Sequence, residues 1–134
     1  VLLASLYGSY IGFHPIKGMF IGPKINSAYK KAYQISPENY RVFLLDGIGT
    51  LFKPSMFGGG TEEALEIMRK GLPFLEKESS TLPSWGKAEY HAWLGYIYLK
   101  NGNKKEAEKS FQAALKIEPE YQWVSKRLIK QIEN

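Results

Sequence analysis

The sequence predicts an all-α fold in which short helices pair as antiparallel hairpins. In residues 88–121, apolar side chains recur every three or four positions along two stretches, which the tripeptide NGN separates. Gly102 can adopt the left-handed conformation that ends a helix, and Asn103 can cap the next helix, with Glu106 placed three residues later as in a capping box. Pro119 ends the second stretch. Two helices with so short a connection must pack antiparallel, so this segment is predicted to be a helical hairpin.

The same segment resembles the tetratricopeptide repeat (TPR), a helix–turn–helix unit of 34 residues. Only the family's tryptophan is missing, because His91 stands at that position and Trp93 follows two residues later. Small residues let the paired helices approach closely where they cross, and large residues fill the space beside the crossing. The seven positions that match, out of eight, are Leu94, Gly95, Tyr98, Ala107, Phe111, Ala114 and Pro119.

Two earlier repeats with a weaker pattern precede this one. The stretches INSAYKKAYQISPEN and ALEIMRKGL match the second helix of a repeat, and they are expected to pair with LLASLYGSYIGF and YRVFLLDGIGTLF, respectively. The final stretch, QWVSKRLIKQIEN, has one apolar side and one basic side, as a helix that caps a solenoid would have. We therefore predict a TPR-like helical-hairpin solenoid of about three repeats in a single domain, 1–134, with repeats at about 1–39, 40–78 and 88–121 and a capping helix at 122–133.

The first two repeats carry the same lengthened connection between their helices. Equivalent positions of the two helices are 17 residues apart in these repeats, from 8 to 25 and from 47 to 64, but 12 apart in the third, from 95 to 107. Both connections contain the pattern MF·G, at 19–22 and at 56–59. The repeated insertion indicates internal duplication, and Met56 and Phe57 are expected to pack against the repeat core.

The three glycines at 58–60 invite comparison with a phosphate-binding loop. Such a loop needs a strand before it and Lys-Ser or Lys-Thr after it, whereas here a predicted helix precedes and Thr61-Glu62-Glu63 follows. Thr61 is a suitable N-cap, and the two glutamates complement the positive end of the helix and would repel a phosphate. The triplet is therefore interpreted as a turn between helices.

Composition excludes several classes of function. The net charge is +5, from 18 basic and 13 acidic residues, and no run of like charge reaches four, which is far from the pattern of a nucleic-acid-binding protein. There is no cysteine, so disulfides and thiolate chemistry are excluded. The apolar stretch over the first 13 residues is too short to span a bilayer and lacks the basic flank of a signal peptide. Because the chain begins with Val, we expect it to be a processed or truncated product, with any targeting signal upstream.

Few residues offer material for catalysis or metal binding. His14 and His91 fall in different repeats, with no zinc-ligand spacing, and His91 is expected to be a partly buried core residue. Asp46 stands where the repeat normally has leucine, so a buried carboxylate there would need a partner such as Arg41 or a tyrosine hydroxyl, or else a raised pKa. Trp85, in the link before the third repeat, is expected to pack into the core. No enzyme, no metal and no cofactor is predicted.

The TPR resemblance implies a concave groove lined by the first helix of each pair. Chaperone-binding TPR domains clamp a peptide carboxylate in this groove with Lys, Arg and Asn. At the corresponding groove positions of this chain only Arg41 and Lys100 are basic, and none is Asn. The groove is instead apolar and aromatic in its middle, which predicts a non-enzymatic scaffold for a protein or peptide partner, or for a second copy of the chain. The alternative is an accessory protein of the cell envelope that binds a small molecule or lipid in an enclosed apolar cavity. The candidate groove residues are Phe13, Arg41, Leu44, Ile48, Phe52, Glu89, Tyr96 and Lys100.

A second resemblance concerns cellular location. The motifs GMF·GPK at 18–24, P·MFGG at 54–59 and WG at 85–86 are similar to those of secreted or periplasmic bacterial TPR proteins common in Bacteroidetes. The resemblance implies the bacterial periplasm or cell envelope, with the cytoplasm as the alternative, and it implies no activity.

Overall fold

The computed structural model of the protein describes residue 2, residues 18–79 and residues 85–133. Every regular element in these ranges is helical, as the sequence predicts. The first predicted helix, with Phe13 and His14, lies outside the described residues. The helices are α1 (Gly18–Ile35), α2 (Tyr40–Phe52), a 3₁₀ turn (Ser55–Phe57), α3 (Thr61–Lys77), α4 (Lys87–Lys100), α5 (Lys104–Ile117) and α6 (Ile129–Glu133), which a π-helical turn (Val124–Leu128) precedes.

The hairpin of α4 and α5 forms through the predicted local signals. Gly102 has a φ of 77°, in the left-handed region, and the Asn103 side chain accepts a hydrogen bond of 3.3 Å from the Glu106 backbone N–H. The reciprocal half of the predicted capping box does not form, because the Asn103 N–H donates to the Tyr98 carbonyl at 2.9 Å and the Glu106 carboxylate accepts a hydrogen bond of 2.8 Å from Lys109. A Cβ added at Gly95 would lie 2.6 Å from Phe111 Cδ1, which explains why a small residue stands at the crossing.

The hairpin of α2 and α3 uses the same principle of close approach. Gly47 faces Met68 and Gly71 faces Phe43, so that each helix presents a glycine to a large side chain of the other. The connection between them, residues 53–60, is closed by a hydrogen bond of 3.0 Å from the Gly60 N–H to the Thr50 carbonyl. Both hairpins therefore depend on small residues at the helix crossing.

The connection at 53–60 differs from the prediction in three ways. Met56 and Phe57 do not pack against the core, because their side chains are 82% and 58% exposed. The N-cap of α3 is Gly60, with a φ of 143°, so Thr61 is the first helical residue and not the cap. The related pattern at 19–22 lies inside α1, so the two MF·G segments adopt different structures.

One hydrophobic core joins the two hairpins to the C-terminal helix. Tyr40, Tyr90 and Phe111 are the largest fully buried side chains, and the Tyr90 hydroxyl donates a hydrogen bond to the Met68 carbonyl across the hairpin boundary. Leu128, between α5 and α6, is also fully buried. Because these side chains come from consecutive elements, the hairpins stack in chain order.

The residues that lead into α4 are anchored to α2 through the backbone carbonyl of Trp85. The Trp85 carbonyl accepts hydrogen bonds from Arg41 Nε, at 3.0 Å, and from the Tyr40 hydroxyl, at 3.2 Å. Arg41 also forms an ion pair of 3.4 Å with Glu78. The Trp85 side chain is 40% exposed, so the prediction that it packs into the core was wrong.

No helix in the described part of the chain is long and apolar enough to cross a membrane.

Candidate functional site: an aromatic cluster

Five aromatic side chains from three separate parts of the chain meet in what we call the aromatic cluster. Trp93 is at its centre, with ring centroids 6.1 Å from Phe52, 5.8 Å from Tyr96 and 4.7 Å from Trp123. Trp123 also lies 5.9 Å from Tyr96 and 6.3 Å from Tyr121. These separations and the tilted or perpendicular ring planes are typical of favourable aromatic pairs.

Local structure places each ring. Trp93 and Tyr96 are three residues apart on α4 and so lie on one face of that helix. Phe52 is the last residue of α2. Trp123 follows the turn at Pro119, where α5 has ended, and lies in the first turn of the C-terminal helical segment.

Among the residues that the structure describes, none closes over the cluster completely. Phe52 is 66% exposed, and the other four rings are half-buried. Lys100 Nζ lies 5.3 Å from the centre of the Tyr96 ring, within range of a cation–π contact. Burial raises the pKa of Tyr121, and the nearby Glu89 and Glu118 carboxylates raise it further. The cluster therefore has an apolar middle with charges of both signs at its edges.

The structure brings together three of the predicted groove residues, Phe52, Tyr96 and Lys100, through Trp93. The remaining residues have other surroundings. Ile48 is half-buried against the core, and the Glu89 carboxylate accepts a hydrogen bond of 2.9 Å from the Gly86 N–H at the start of α4.

Arg41 and Leu44 are 5% and 2% exposed, so neither side chain is offered to a surface ligand. Phe13 lies outside the described residues. Trp93, Tyr121 and Trp123 were not among the predicted groove residues. Two features of the sequence could have indicated them: Trp93 and Tyr96 have helical spacing, and two large aromatic residues follow within four positions of Pro119.

A second feature is a cleft between α1, α2 and α3, which we call the Asp46 cleft. Its volume is about 400 Å³. Tyr33 of α1 donates a hydrogen bond of 2.8 Å to Asp46 Oδ2, so a tyrosine hydroxyl is the partner of Asp46, one of the two that the sequence allowed. Burial raises the pKa of the Asp46 carboxyl, against the opposing effects of that hydrogen bond and of Lys53. The lining residues are Asn26, Tyr29, Tyr33, Asp46, Thr50, Lys53, Gly58, Glu63, Glu66, Ile67 and Lys70.

The other titratable candidate, His91, is half-buried as predicted. Burial lowers its pKa, and the Glu76 carboxylate partly opposes this shift. Among the residues that the structure describes, no group of three or more His, Cys, Asp or Glu side chains is arranged to hold a metal ion.

A protein-family model for the tetratricopeptide repeat matches residues 88–121, which are 34 of the 134 residues. No curated protein matches the chain with significance. Tetratricopeptide repeats generally mediate protein–protein interactions and are typically non-enzymatic. The predicted cell-envelope location stays a prediction. Residues 88–121 are thus similar to a tetratricopeptide repeat, and the described helices have the hairpin arrangement typical of such repeats.

Proposed function

We propose that the chain is a non-enzymatic scaffold that binds an apolar segment of a protein or peptide partner at the aromatic cluster. The observation that carries this proposal is the contact of Phe52, Trp93, Tyr96 and Trp123, four large rings from three elements that remain partly open to solvent. The TPR family supports the coarser statement, binding of a protein partner.

Physical chemistry favours this surface as the site of contact. Tyr and Trp are enriched at the centres of interfaces, because each covers a large area and loses little side-chain entropy on binding. Covering the exposed part of Phe52 would remove apolar area from water, which contributes about 25 cal/mol for each Å². Lys100 at the edge supplies a positive charge that can set the orientation of a bound segment.

The alternative function, binding of a lipid or other apolar small molecule in an enclosed cavity, has less support. The Asp46 cleft is open to solvent, and charged or hydroxyl-bearing side chains make up most of its lining. An aliphatic chain placed there would leave polar groups without partners.

A peptide selection tests the proposal. Random 12-residue peptides displayed on phage are selected against the wild-type chain, and the affinity of the enriched peptides is then measured for Phe52→Ser and Tyr96→Ala. We expect each substitution to weaken binding about tenfold or more, as for residues at the centre of an interface. Ile35→Ser is the matched control, because Ile35 is similarly exposed, at 71%, and does not belong to the cluster.

A spectroscopic measurement locates the bound peptide. The chain has three tryptophans, and two of them, Trp93 and Trp123, belong to the cluster. In a Trp85→Phe variant all tryptophan emission comes from the cluster, so binding there should change the emission maximum. Enriched peptides that bind Phe52→Ser and Tyr96→Ala as tightly as the wild type would contradict the proposal.

A second copy of the chain is an alternative partner for the aromatic cluster. Sedimentation equilibrium of the wild type and of Phe52→Ser distinguishes this case, because the substitution would shift a self-associating protein toward monomer. A wild type that is monomeric and binds peptides through the cluster supports a heterologous partner.

A further inference from the structure

The Asp46 cleft is separate from the aromatic cluster, since no residue belongs to both. Its walls come from α1, α2 and α3 and from the connection at 53–60. A volume of about 400 Å³ is within the usual range for small-ligand sites, about 300 to 1,000 Å³. The cleft can therefore be considered as a binding site in its own right.

The Asp46 carboxylate is only partly satisfied by the protein. Oδ2 accepts the hydrogen bond from Tyr33, whereas Oδ1 has no hydrogen-bond partner among the described residues. Lys53 is near enough to influence the carboxyl electrostatically but forms no ion pair with it. A partly buried carboxylate with an unused oxygen costs folding free energy, and a bound cationic donor would offset that cost.

The charges of the lining favour a cation. Three carboxylates, Asp46, Glu63 and Glu66, face two ammonium groups, Lys53 and Lys70. Lys70 is already paired with Glu66 at 2.6 Å, and Glu63, in the first turn of α3, complements the positive end of that helix, which leaves Asp46 and Lys53. The five charged side chains of the lining have a net formal charge of −1, on a chain whose net charge is +5.

The nature of the cation follows from the ligand geometry. A divalent metal would need several oxygen ligands that converge, and no such group of three acidic or His side chains occurs in the described residues. An organic cation needs one charge-assisted hydrogen bond and neighbouring polar or aromatic surface, which Asp46, Asn26 and the Tyr29 and Tyr33 rings can supply.

We propose that the Asp46 cleft binds an ammonium or guanidinium group, with Asp46 Oδ1 as its principal acceptor. Such a group is carried by a small amine or by a Lys or Arg side chain, and the two share this chemistry. The site is independent of the peptide-binding surface proposed above, so either can fail without the other.

Titrations followed by ¹H–¹⁵N correlation spectra test this inference on the full chain. The probes are 1,4-diaminobutane and Nα-acetyl-arginine amide, with 1,4-butanediol as the uncharged control. We expect one or both cations, up to about 10 mM, to shift the amide signals of residues beside the cleft, and the diol not to shift them. Shifts with the diamine alone indicate a small-molecule ligand, and shifts with the arginine amide indicate a basic side chain.

Three variants complete the experiment. Asp46→Asn keeps the size and an acceptor for Tyr33 but removes the charge, so it should weaken cation binding about tenfold. Lys53→Gln removes a competing positive charge and should tighten binding by about threefold. Glu108→Gln, a charge-matched control on the exposed face of α5, should leave affinity unchanged. Binding that is equal in Asp46→Asn and wild type, shifts of equal size with the diol, or no shift with either cation would overturn the inference.

Discussion

The Tyr33 hydroxyl donates a hydrogen bond of 2.8 Å to Asp46 Oδ2 and so ties α1 to α2. Burial, and next the Asp46 charge, raise the pKa of Tyr33 above its usual range, so the hydroxyl stays protonated and remains the donor. Burial likewise raises the pKa of Asp46. The carboxylate of this pair is therefore a partly buried negative charge that lowers the free energy of unfolding.

The Asp46→Asn variant should be more stable than the wild type at neutral pH. Because the folded state raises the pKa of Asp46, it binds more protons than the unfolded state in the range above the ordinary carboxyl value of 3.8. The cost of the charge is fully present above the folded-state pKa and disappears as pH falls below the unfolded value. Urea unfolding at about pH 7 and about pH 4 should show the advantage of the variant shrinking at the lower pH.

Tyr33→Phe is the companion test of this pair. Removing the hydroxyl leaves Asp46 Oδ2 without its donor and should lower the free energy of unfolding by about 1 to 3 kcal/mol at neutral pH. The loss should be smaller in the Asp46→Asn background, since an uncharged acceptor suffers less from the missing bond. An Asp46→Asn protein that is less stable than the wild type at neutral pH would show that the charge is not a net cost.

Replacing Gly71 or Gly47 by alanine should change the free energy of unfolding by very different amounts. In Gly71→Ala the new Cβ would lie 2.5 Å from Phe43 Cβ, which is attached directly to the backbone, so α2 and α3 must separate. We expect a loss of about 1 to 3 kcal/mol in the free energy of unfolding.

In Gly47→Ala the nearest atom is Met68 Sδ, at 2.7 Å, on a flexible side chain that can shift. The gain in helix propensity, about 1 kcal/mol, then offsets much of the clash. Urea unfolding should place Gly47→Ala within about 1 kcal/mol of the wild type. Equal losses in the two variants would show that the closeness of α2 and α3, and not the mobility of the neighbouring side chain, decides the loss of stability.

The Arg41 guanidinium should be difficult to replace even by another cation. It is 5% exposed, and its Nε donates to the Trp85 carbonyl while Nη1 pairs with Glu78. Lysine has no second donor at the position of Nε, so Arg41→Lys should lose about 1 to 3 kcal/mol of stability by urea unfolding. Glu78→Gln should lose less than about 1 kcal/mol, since the Glu78 side chain is 26% exposed. A larger loss in Glu78→Gln than in Arg41→Lys would assign the stabilisation to the ion pair.

His91 should make the protein less stable as the pH falls. Burial lowers the pKa of His91 in the folded state, so the unfolded chain binds the proton first as the pH falls through the ordinary value of 6.5. Between about pH 7.5 and about pH 5, the wild type should lose more stability than His91→Gln. Glu76→Gln should steepen the loss, because the Glu76 charge favours the protonated form. Parallel pH profiles for wild type and His91→Gln would refute this assignment.

The sequence by itself determined the hairpin of α4 and α5, because its signals act over a few residues. Gly102 adopts the left-handed conformation, Asn103 caps the next helix, and the helix ends at Ile117, before Pro119. Small residues at the crossing positions are equally visible in the sequence, since the period of a helix fixes which positions face its partner.

Tertiary structure decided the partner of Asp46. The sequence allowed Arg41 or a tyrosine, but Arg41 and Asp46 are five residues apart on one helix, so their side chains point about 140° apart around its axis. Only the packing of α1 against α2 brings Tyr33 to the carboxylate. The two MF·G segments likewise differ in structure, because such a short pattern does not fix backbone conformation: one lies within α1 and the other forms a 3₁₀ turn.

The aromatic cluster depends most on the tertiary fold. Phe52 and Trp123 are 71 positions apart in the sequence, and both meet Trp93 because the hairpins stack side by side. Helical spacing predicts that Trp93 and Tyr96 share a face, but it contains no information about which distant rings lie beside them. Local sequence signals thus set the helices and their turns, whereas contacts between hairpins, which join residues far apart in the chain, set the surface that we propose binds a partner.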